Sequence, residues 1–446
     1  MRILVGTREI AGLLPDFAEG FRRLGHQVTT VVRYHNRFYP DIQYDIDLSG
    51  GVSSECIAQL ILSHDVFLFQ WGNSLLDANL DFHLIKRAGK RIISIFNGND
   101  IRHYSSYQQE FGTDYKALGY AGDPIERPLR NLRMAEWFSA LIITDPVTNN
   151  LAVRPYMQIF LPLELSRYRC EIPARDIPLV IHAPSVQAVE GTSIILPALE
   201  KLRAKGVRFD LRVLTETTNQ QVLEALVDAD VVIGELHLPG GGKLGLEGMA
   251  CGCAVASAVR EELKLYFNLR PIWKIDPENI EQQLEQLLTD KELRLKLAAE
   301  GRAYVEQYHD RTQVAEQILN ALAETDTGNL KYDYYPTFFT RNYRLPEEQF
   351  IPTYLKRLTA AIIQRYGLPA GANIDNLLER GLISAEGLDM NRPLPVWSYA
   401  SVDRKSIVKL TNEEFSQEIP RTTSNNMYFD PRLDAYYKTT AICPPR

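Results

Sequence analysis

Short apolar runs recur along the first two thirds of the chain, and most are followed by a longer stretch in which apolar and polar positions alternate with helical period. Runs of this length between helices predict parallel strands in βα units, with both sheet faces covered. The first series is RILVG at 2–6, QVTTVV at 27–32, VFLFQW at 66–71, RIISIF at 91–96, ALIITD at 140–145 and MQIFLP at 157–162, with helices predicted near 13–24, 80–89 and 128–139. A second series is LVIHAP at 179–184, FDLRVL at 209–214, VVIGEL at 231–236, AVAS at 254–257 and PIWKI at 271–275, with helices near 192–204, 218–228, 243–251, 278–288, 290–307 and 312–324. Between them LELSRYRCEIPARDIP, polar and carrying two prolines, reads as a linker. The expected fold class is α/β, with two Rossmann-like domains facing a cleft at 1–165 and 178–310. The rhythm is lost beyond residue 330, where KYDYYPTFFTRNY brings aromatic area and one more helix is predicted at 351–366. That area predicts an aromatic-rich C-terminal extension, which with a returning helix makes up 311–446, packed on the body.

Composition narrows the function classes. A chain of 446 residues exceeds one comfortable core. Its 49 Lys and Arg stand against 56 Asp and Glu, giving a net charge of -7, so no basic excess points to a nucleic-acid partner. Cys56, Cys170, Cys251, Cys253 and Cys443 lack the spacing of a disulfide framework, which favours a reducing compartment. The opening MRILVGTREIAG suits a first strand better than a signal peptide, and no run approaches the ~18 apolar residues of a membrane span. The expected location is therefore the cytoplasm, with peripheral contact at the inner face of a membrane left open, as is a homo-oligomer. His35, His64, His83, His103 and His237 have no metal-ligand spacing, and the Cys-Gly-Cys pair in MACGCAV is expected to pack rather than ligate.

The stretch PGGGKLGLEGMACGC at 239–253 follows a predicted strand and opens a helix. Gly240, Gly241 and Gly242 would let the backbone approach an anion with free N–H groups. Lys243 in the first turn opposes the helix dipole, a cost that a bound phosphate would reverse. Glu247, one turn on, could accept hydrogen bonds from the vicinal hydroxyls of a ribose. Alternatively, Lys243 and Glu247 pair with each other at their i,i+4 spacing and the glycines form only a turn. Two further clusters follow strands. HAPSVQAVEGTS at 182–193 offers His182, Ser185, Gly191 and Thr192, although a helix cap and a satisfied core histidine would serve as well. FNGNDIRHY at 96–104 offers Asn97, Asn99, Asp100 and Arg102 for sugar hydroxyls, or an Asx-turn closed on its own backbone. After the first strand, Gly12 would admit an acceptor or a diphosphate to a helix N-terminus. There is no GxSxG or P-loop.

With these residues assembled, the chain resembles the retaining nucleotide-sugar glycosyltransferases of the GT-B fold, in particular the GT4-like family, over roughly residues 1–325. LGLEGMACGCAVAS is similar to the family's LEAMACGxPVV stretch, which implies a ribose-binding role for Glu247. HAPS…EGT is similar to a strand-end motif that usually ends in Lys-Gly-Thr, and FNGNDIR resembles the family's HGSDxR. Three positions depart from the pattern: Pro239 where a second glutamate is usual, Glu190 where a lysine often binds phosphate, and Asn97 in place of a histidine. The resemblance implies a hexosyltransferase that moves a sugar from a nucleotide diphosphate sugar, expected to be UDP- or GDP-linked, to a glycan, lipid or small-molecule hydroxyl. The donor would bind the second domain and the acceptor the first. Taken with the loop readings above, which supply Lys243, Gly12 and the three glycines, it gives Asn97, Asn99, Asp100, Arg102 and Lys243 as the expected catalytic residues, and Gly12, His182, Ser185, Gly191, Thr192, Gly240, Gly241, Gly242, Lys243 and Glu247 as expected to bind the donor, with no permanently bound cofactor and no metal. Two alternatives stay open: a non-catalytic sugar-nucleotide-binding or scaffold protein, and a nucleotide-sugar epimerase.

Overall fold

The computed structural model describes residues 1–383 apart from 113, 115–117, 119–123, 146–147, 159, 260–269, 329, 331, 333–335, 340–344 and 370. Expectations for 384–446 lie outside the described residues. The first domain contains β1 (Arg2–Arg8), β2 (Gln27–Tyr34), β3 (Ile46–Asp47), β4 (Val66–Gln70), β5 (Arg91–Ile95) and β6 (Leu141–Ile143). These pair in parallel in the order β3-β2-β1-β4-β5-β6. Its helices are α1 (Leu13–Arg23), α2 (Ser54–Ser63), α3 (Phe82–Arg87), α4 (Tyr104–Phe111) and α5 (Glu126–Phe138). The second sheet holds β7 (Leu179–His182), β8 (Asp210–Val213), β9 (Val231–Ile233), β10 (Ala254–Ser257) and β11 (Ile272–Lys274), all parallel, in the order β11-β10-β9-β7-β8. Around it lie α6 (Gln187–Glu190), α7 (Thr192–Ala204), α8 (Asn219–Val227), α9 (Gly242–Cys251), α10 (Ile280–Thr289) and α11 (Lys291–Tyr308). Both sheets carry apolar clusters on their two faces, as near-continuous apolar strands require.

Two predicted features differ. MQIFLP at 157–162 forms no strand, only an isolated bridge from Met157 to Ile143. The segment instead leaves the sheet edge to become the crossover: Phe160 packs against Tyr304, Tyr308 and His309, and the Leu163 N–H donates to the His309 carbonyl at 2.7 Å. The short helices α2 and α4 were not expected, and α2 is capped by Ser53, whose side chain accepts the Cys56 N–H.

α12 (Arg311–Thr327) then returns to the first domain and crosses α1 so closely that a Cβ on Gly20 would stand 2.4 Å from the Arg311 carbonyl oxygen. The extension continues with α13 (Thr353–Tyr366) and α14 (Ile374–Glu379). Leu355, Ile362 and Ile363 of α13 share one buried cluster with Leu132 and Phe138 of α5. The seam also holds a buried ion pair, Arg133 with Glu136 at 2.6 Å, and the Arg133 Nε donates to Thr359 Oγ1 at 2.7 Å. Such a pair tolerates burial because its remaining donors find partners, here the Leu151 carbonyl. Among the described residues no helix is long and apolar enough to cross a membrane.

Because Leu355 is fully buried in this seam, Leu355→Ala is expected to destabilise the first domain by about 2–5 kcal/mol. Urea denaturation followed by tryptophan fluorescence checks this; an unchanged midpoint would show that the extension is not part of the core.

Candidate functional site

The carboxyl ends of both sheets point into the space between the domains, where α/β sheets place their ligands. Two adjoining cavities of about 360 and 370 Å³ lie there, and Ser185, Glu190, Glu235 and Lys243 line both. The first cavity is closed on one side by the loop after β2. Its Phe38 carbonyl accepts the Asn219 N–H at 2.9 Å, and Arg37 stands 3.6 Å from Glu216. The first domain thus forms part of the wall of a cavity that is otherwise built by the second.

The glycine loop explains its own composition. Gly240, Gly241 and Gly242 have φ of 107°, 76° and 57°, a run of left-handed conformations that side-chain-bearing residues avoid. A Cβ on Gly242 would also stand 2.9 Å from a Glu235 carboxylate oxygen. The loop delivers the N-terminus of α9 with no side chain capping it, leaving positive dipole directed at the cleft. Lys243 pairs across the cleft with Asp16 of α1 at 3.7 Å, not along its own helix with Glu247, and its Nζ has no hydrogen-bond partner.

Glu247 lines the first cavity and both its oxygens accept from Asn219 Nδ2, at 3.1 and 3.2 Å. Burial pushes its carboxyl up, and the charge of Lys243 opposes that shift. Three more carboxyls are shifted upward by burial. Glu9 rises to about 7 while accepting from the Leu13 N–H and the Tyr44 hydroxyl. Asp16 rises against the charges of Lys243, Arg167 and Arg311. Glu235 rises to about 7, driven by burial and by Glu190 beside it, and restrained by Arg102 and Arg270.

Asn97, Asn99, Arg102, Ser185, Gly241, Gly242, Lys243 and Glu247 line one or both cavities. Ser185 does so with its donors committed, since its N–H and Oγ–H both donate to Glu190, at 2.7 and 2.8 Å. The remaining candidates, Gly12, Asp100, His182, Gly191, Thr192 and Gly240, line neither cavity. His182 is fully buried, with one ring nitrogen on the Ile233 carbonyl and the other on Thr192 Oγ1, so the two support the strand end. Gly191 is needed for packing: a Cβ there would lie 2.6 Å from Leu236. Asp100 accepts the Gly98 and Asn97 N–H groups at 2.8 and 3.3 Å, so its carboxylate closes the turn that precedes it, in the opposite sense to an Asx-turn. Gly12 is covered by the Tyr39 ring, and Glu9 already occupies the N-terminus of α1. Gly240 turns its carbonyl to Arg270 at 3.0 Å.

Sequence reasoning missed Glu235, Asn219, Tyr39 and Asp16. Glu235 was the most accessible of these: it ends VVIGE, directly after β9, at the position where a strand hands its side chains to the cleft. Matching a fixed spacing to Pro239 concealed it, because the loop places the second carboxylate earlier in the chain than that spacing expects. Among the described residues no group of His, Cys, Asp and Glu could hold a metal ion.

Comparison with known proteins agrees with this architecture. Residues 196–320 match the family model described as glycosyl transferase-like. The fold is similar to that of HepE from Anabaena, solved with UDP-glucose, at 12% identity and a TM-score of 0.51 over 73% of this chain and 100% of that one. It is also similar to sucrose-phosphate synthase from Thermosynechococcus elongatus, at 12% identity and a TM-score of 0.50 over 73% and 98% of the two chains. No curated protein sequence matches the chain. The chain has the GT-B fold, with a glycosyl transferase-like segment in its second domain.

The raised Glu235 carboxyl gives a stability test. Its folded pKa lies above the unfolded value of 4.5, so the folded state holds the extra proton between about 4.5 and 7 and loses that advantage as pH rises through 7. Glu9 titrates over the same window in both proteins and cancels from the difference. The stability gain of Glu235→Gln over the parent is expected to grow from pH 4.5 to 7 and then level off in thermal unfolding. A difference independent of pH would contradict the placement of this group.

Proposed function

We propose that this protein transfers a sugar, with retention of anomeric configuration, from a nucleotide diphosphate sugar to a hydroxyl acceptor. The observation that carries the reading is the pairing, on one helix facing the cleft, of an uncapped N-terminus and Lys243 with Glu247 one turn deeper. Such spacing suits a nucleoside diphosphate: phosphates at the helix terminus, ribose hydroxyls donating to Glu247. Asn219, which lines the same cavity, donates to both oxygens of the Glu247 carboxylate. Lys243 reaches Asp16 at 3.7 Å without a hydrogen bond, so a diphosphate would offer it a stronger, charge-assisted partner.

In the reaction the anomeric C–O bond breaks with its electron pair passing to the departing diphosphate. The acceptor oxygen bonds to the same carbon on the same face, and its proton passes to a phosphate oxygen. Lys243 and the α9 terminus stabilise the charge that builds on the leaving group. Glu235, beside the loop, is placed to hold the hydroxyls of the transferred sugar, with Arg102 completing the wall from the first domain. UDP-glucose, the ligand of HepE, is the first donor to try, followed by GDP conjugates.

A second reading, binding without turnover, draws on Glu190. Its carboxylate occupies the Ser185 and Val186 N–H groups, which removes two donors from the phosphate side. Donor binding without transfer to any acceptor in a broad panel would favour it.

Calorimetric titration with UDP, GDP, ADP and their sugar conjugates tests the reading, which predicts selective binding of one conjugate; folded protein that binds none would defeat it. Glu247→Ala is expected to weaken that binding about 100-fold, the loss of two hydrogen bonds to a charged acceptor. Unaltered affinity would remove the ribose role.

A further inference from the structure

We propose that the second cavity takes its acceptor as an uncharged pyranose ring laid on the indole of Trp71, so that the acceptor substrate is a saccharide; this rests on the glycosyl-transfer reading. Trp71 directly follows β4 and lines the cavity. Its φ of 60° places a bulky residue in the left-handed region, where few non-glycine residues sit and which the surrounding structure must enforce. That enforcement is visible on both sides. The Trp71 N–H still donates to the Ile95 carbonyl at 2.9 Å, and the indole lies over Gly98, with Cη2 and Cζ3 only 3.3 and 3.4 Å from where a Cβ would stand. Any other residue at 98 would have to displace the ring. The strained backbone and the bare glycine thus share one result, an aromatic face held at the cavity wall.

The groups around that face are of the kind a pyranose needs. Asn97, Asn99, Asp145, Thr148 and Gln158 line the same cavity, which presents amides, a hydroxyl and a carboxylate beside an aromatic plane. The Nδ2 of Asn97 is buried with no partner in the protein, a cost that a ligand oxygen would relieve. A sugar ring has one face of C–H groups to lie on an aromatic and a rim of hydroxyls for amides and carboxylates. A lipid chain would leave the buried Asn97 Nδ2 without a partner. A sugar phosphate would require an uncommitted cation, yet Arg102 is bonded to Asn99 at 2.8 Å and Arg270 to the Gly240 carbonyl at 3.0 Å, and Lys243 is taken by the donor diphosphate in the transfer reading. Glu235, Gly242 and Lys243 border the same cavity, so a hydroxyl of this ring would stand next to the donor's anomeric carbon.

Saturation-transfer NMR on the full chain, with UDP or GDP present, tests this using methyl glucopyranosides, methyl galactopyranosides and methyl N-acetylglucosaminide as probes. Glucose 6-phosphate and dodecyl alcohol are the contrasting classes. At least one methyl glycoside should receive saturation on the C–H groups of one ring face. Trp71→Leu should reduce its affinity at least about tenfold, while Trp71→Tyr retains most of it and both variants unfold at the parent's temperature. The proposal is overturned if no methyl glycoside makes contact, if only the phosphate or the alcohol does, or if a folded Trp71→Leu protein binds the glycoside as the parent does. Nucleotide titration of the same variants separates the two readings. Nucleotide bound without saccharide defeats this proposal alone, whereas saccharide on Trp71 without nucleotide supports the site and defeats the transfer reading.

Discussion

Asp16 is buried in α1 with less than a twentieth of its surface exposed, and cations from three separate parts of the chain, Lys243, Arg167 and Arg311, compensate for its charge. Lys243 approaches from the glycine-loop helix of the second domain at 3.7 Å, and Arg311 from the start of α12 also at 3.7 Å. Arg311 in turn grips Glu164 of the crossover through two hydrogen bonds of 2.8 and 2.7 Å. A buried carboxylate without such company would be strongly unfavourable. Its position therefore ties together the first domain, the outgoing linker, the returning helix and the lysine of the cleft.

The second consequence is electrostatic. Glu9, Asp16, Glu235 and Glu247 are all raised by burial in the region between the domains, and Lys243 acts on three of them. An anionic ligand entering beside Lys243 would draw that cation from Asp16 and so change the proton affinity of the first-domain carboxyls. The protonation of these carboxyls and the contact between the domains thus meet at one side chain, Lys243. The loop after β2 adds a backbone link to the same junction, since Phe38 holds the first residue of α8, the helix that carries Asn219 to Glu247.

The double crossover makes this geometry rigid where the chain passes between domains. Leu163 and Asp310 form a parallel bridge, and the ring of His309 bonds to the Leu161 carbonyl at 2.8 Å. Burial lowers the His309 pKa to about 3, so the ring stays neutral at any ordinary pH. His309 therefore keeps one charge state across the pH range in which Glu9 and Glu235 titrate.

The sequence by itself determined the two parallel sheets, because apolar runs bounded by amphipathic helices leave a strand no option but burial on both faces. It also determined the left-handed glycine loop and the i,i+4 placement of Lys243 and Glu247, which are local consequences of residue type and helical pitch. What it did not determine is the partner of each polar group. His182 met Thr192, Asp100 met its own turn, Glu9 filled the helix terminus expected to be free at Gly12, and Lys243 met Asp16. Glu235 entered the site from a place that a spacing template had excluded. Only the folded structure decided these, since periodicity reports which face a residue occupies, whereas the local pairings depend on the path of each loop and the Lys243–Asp16 pair on how distant segments pack across the cleft.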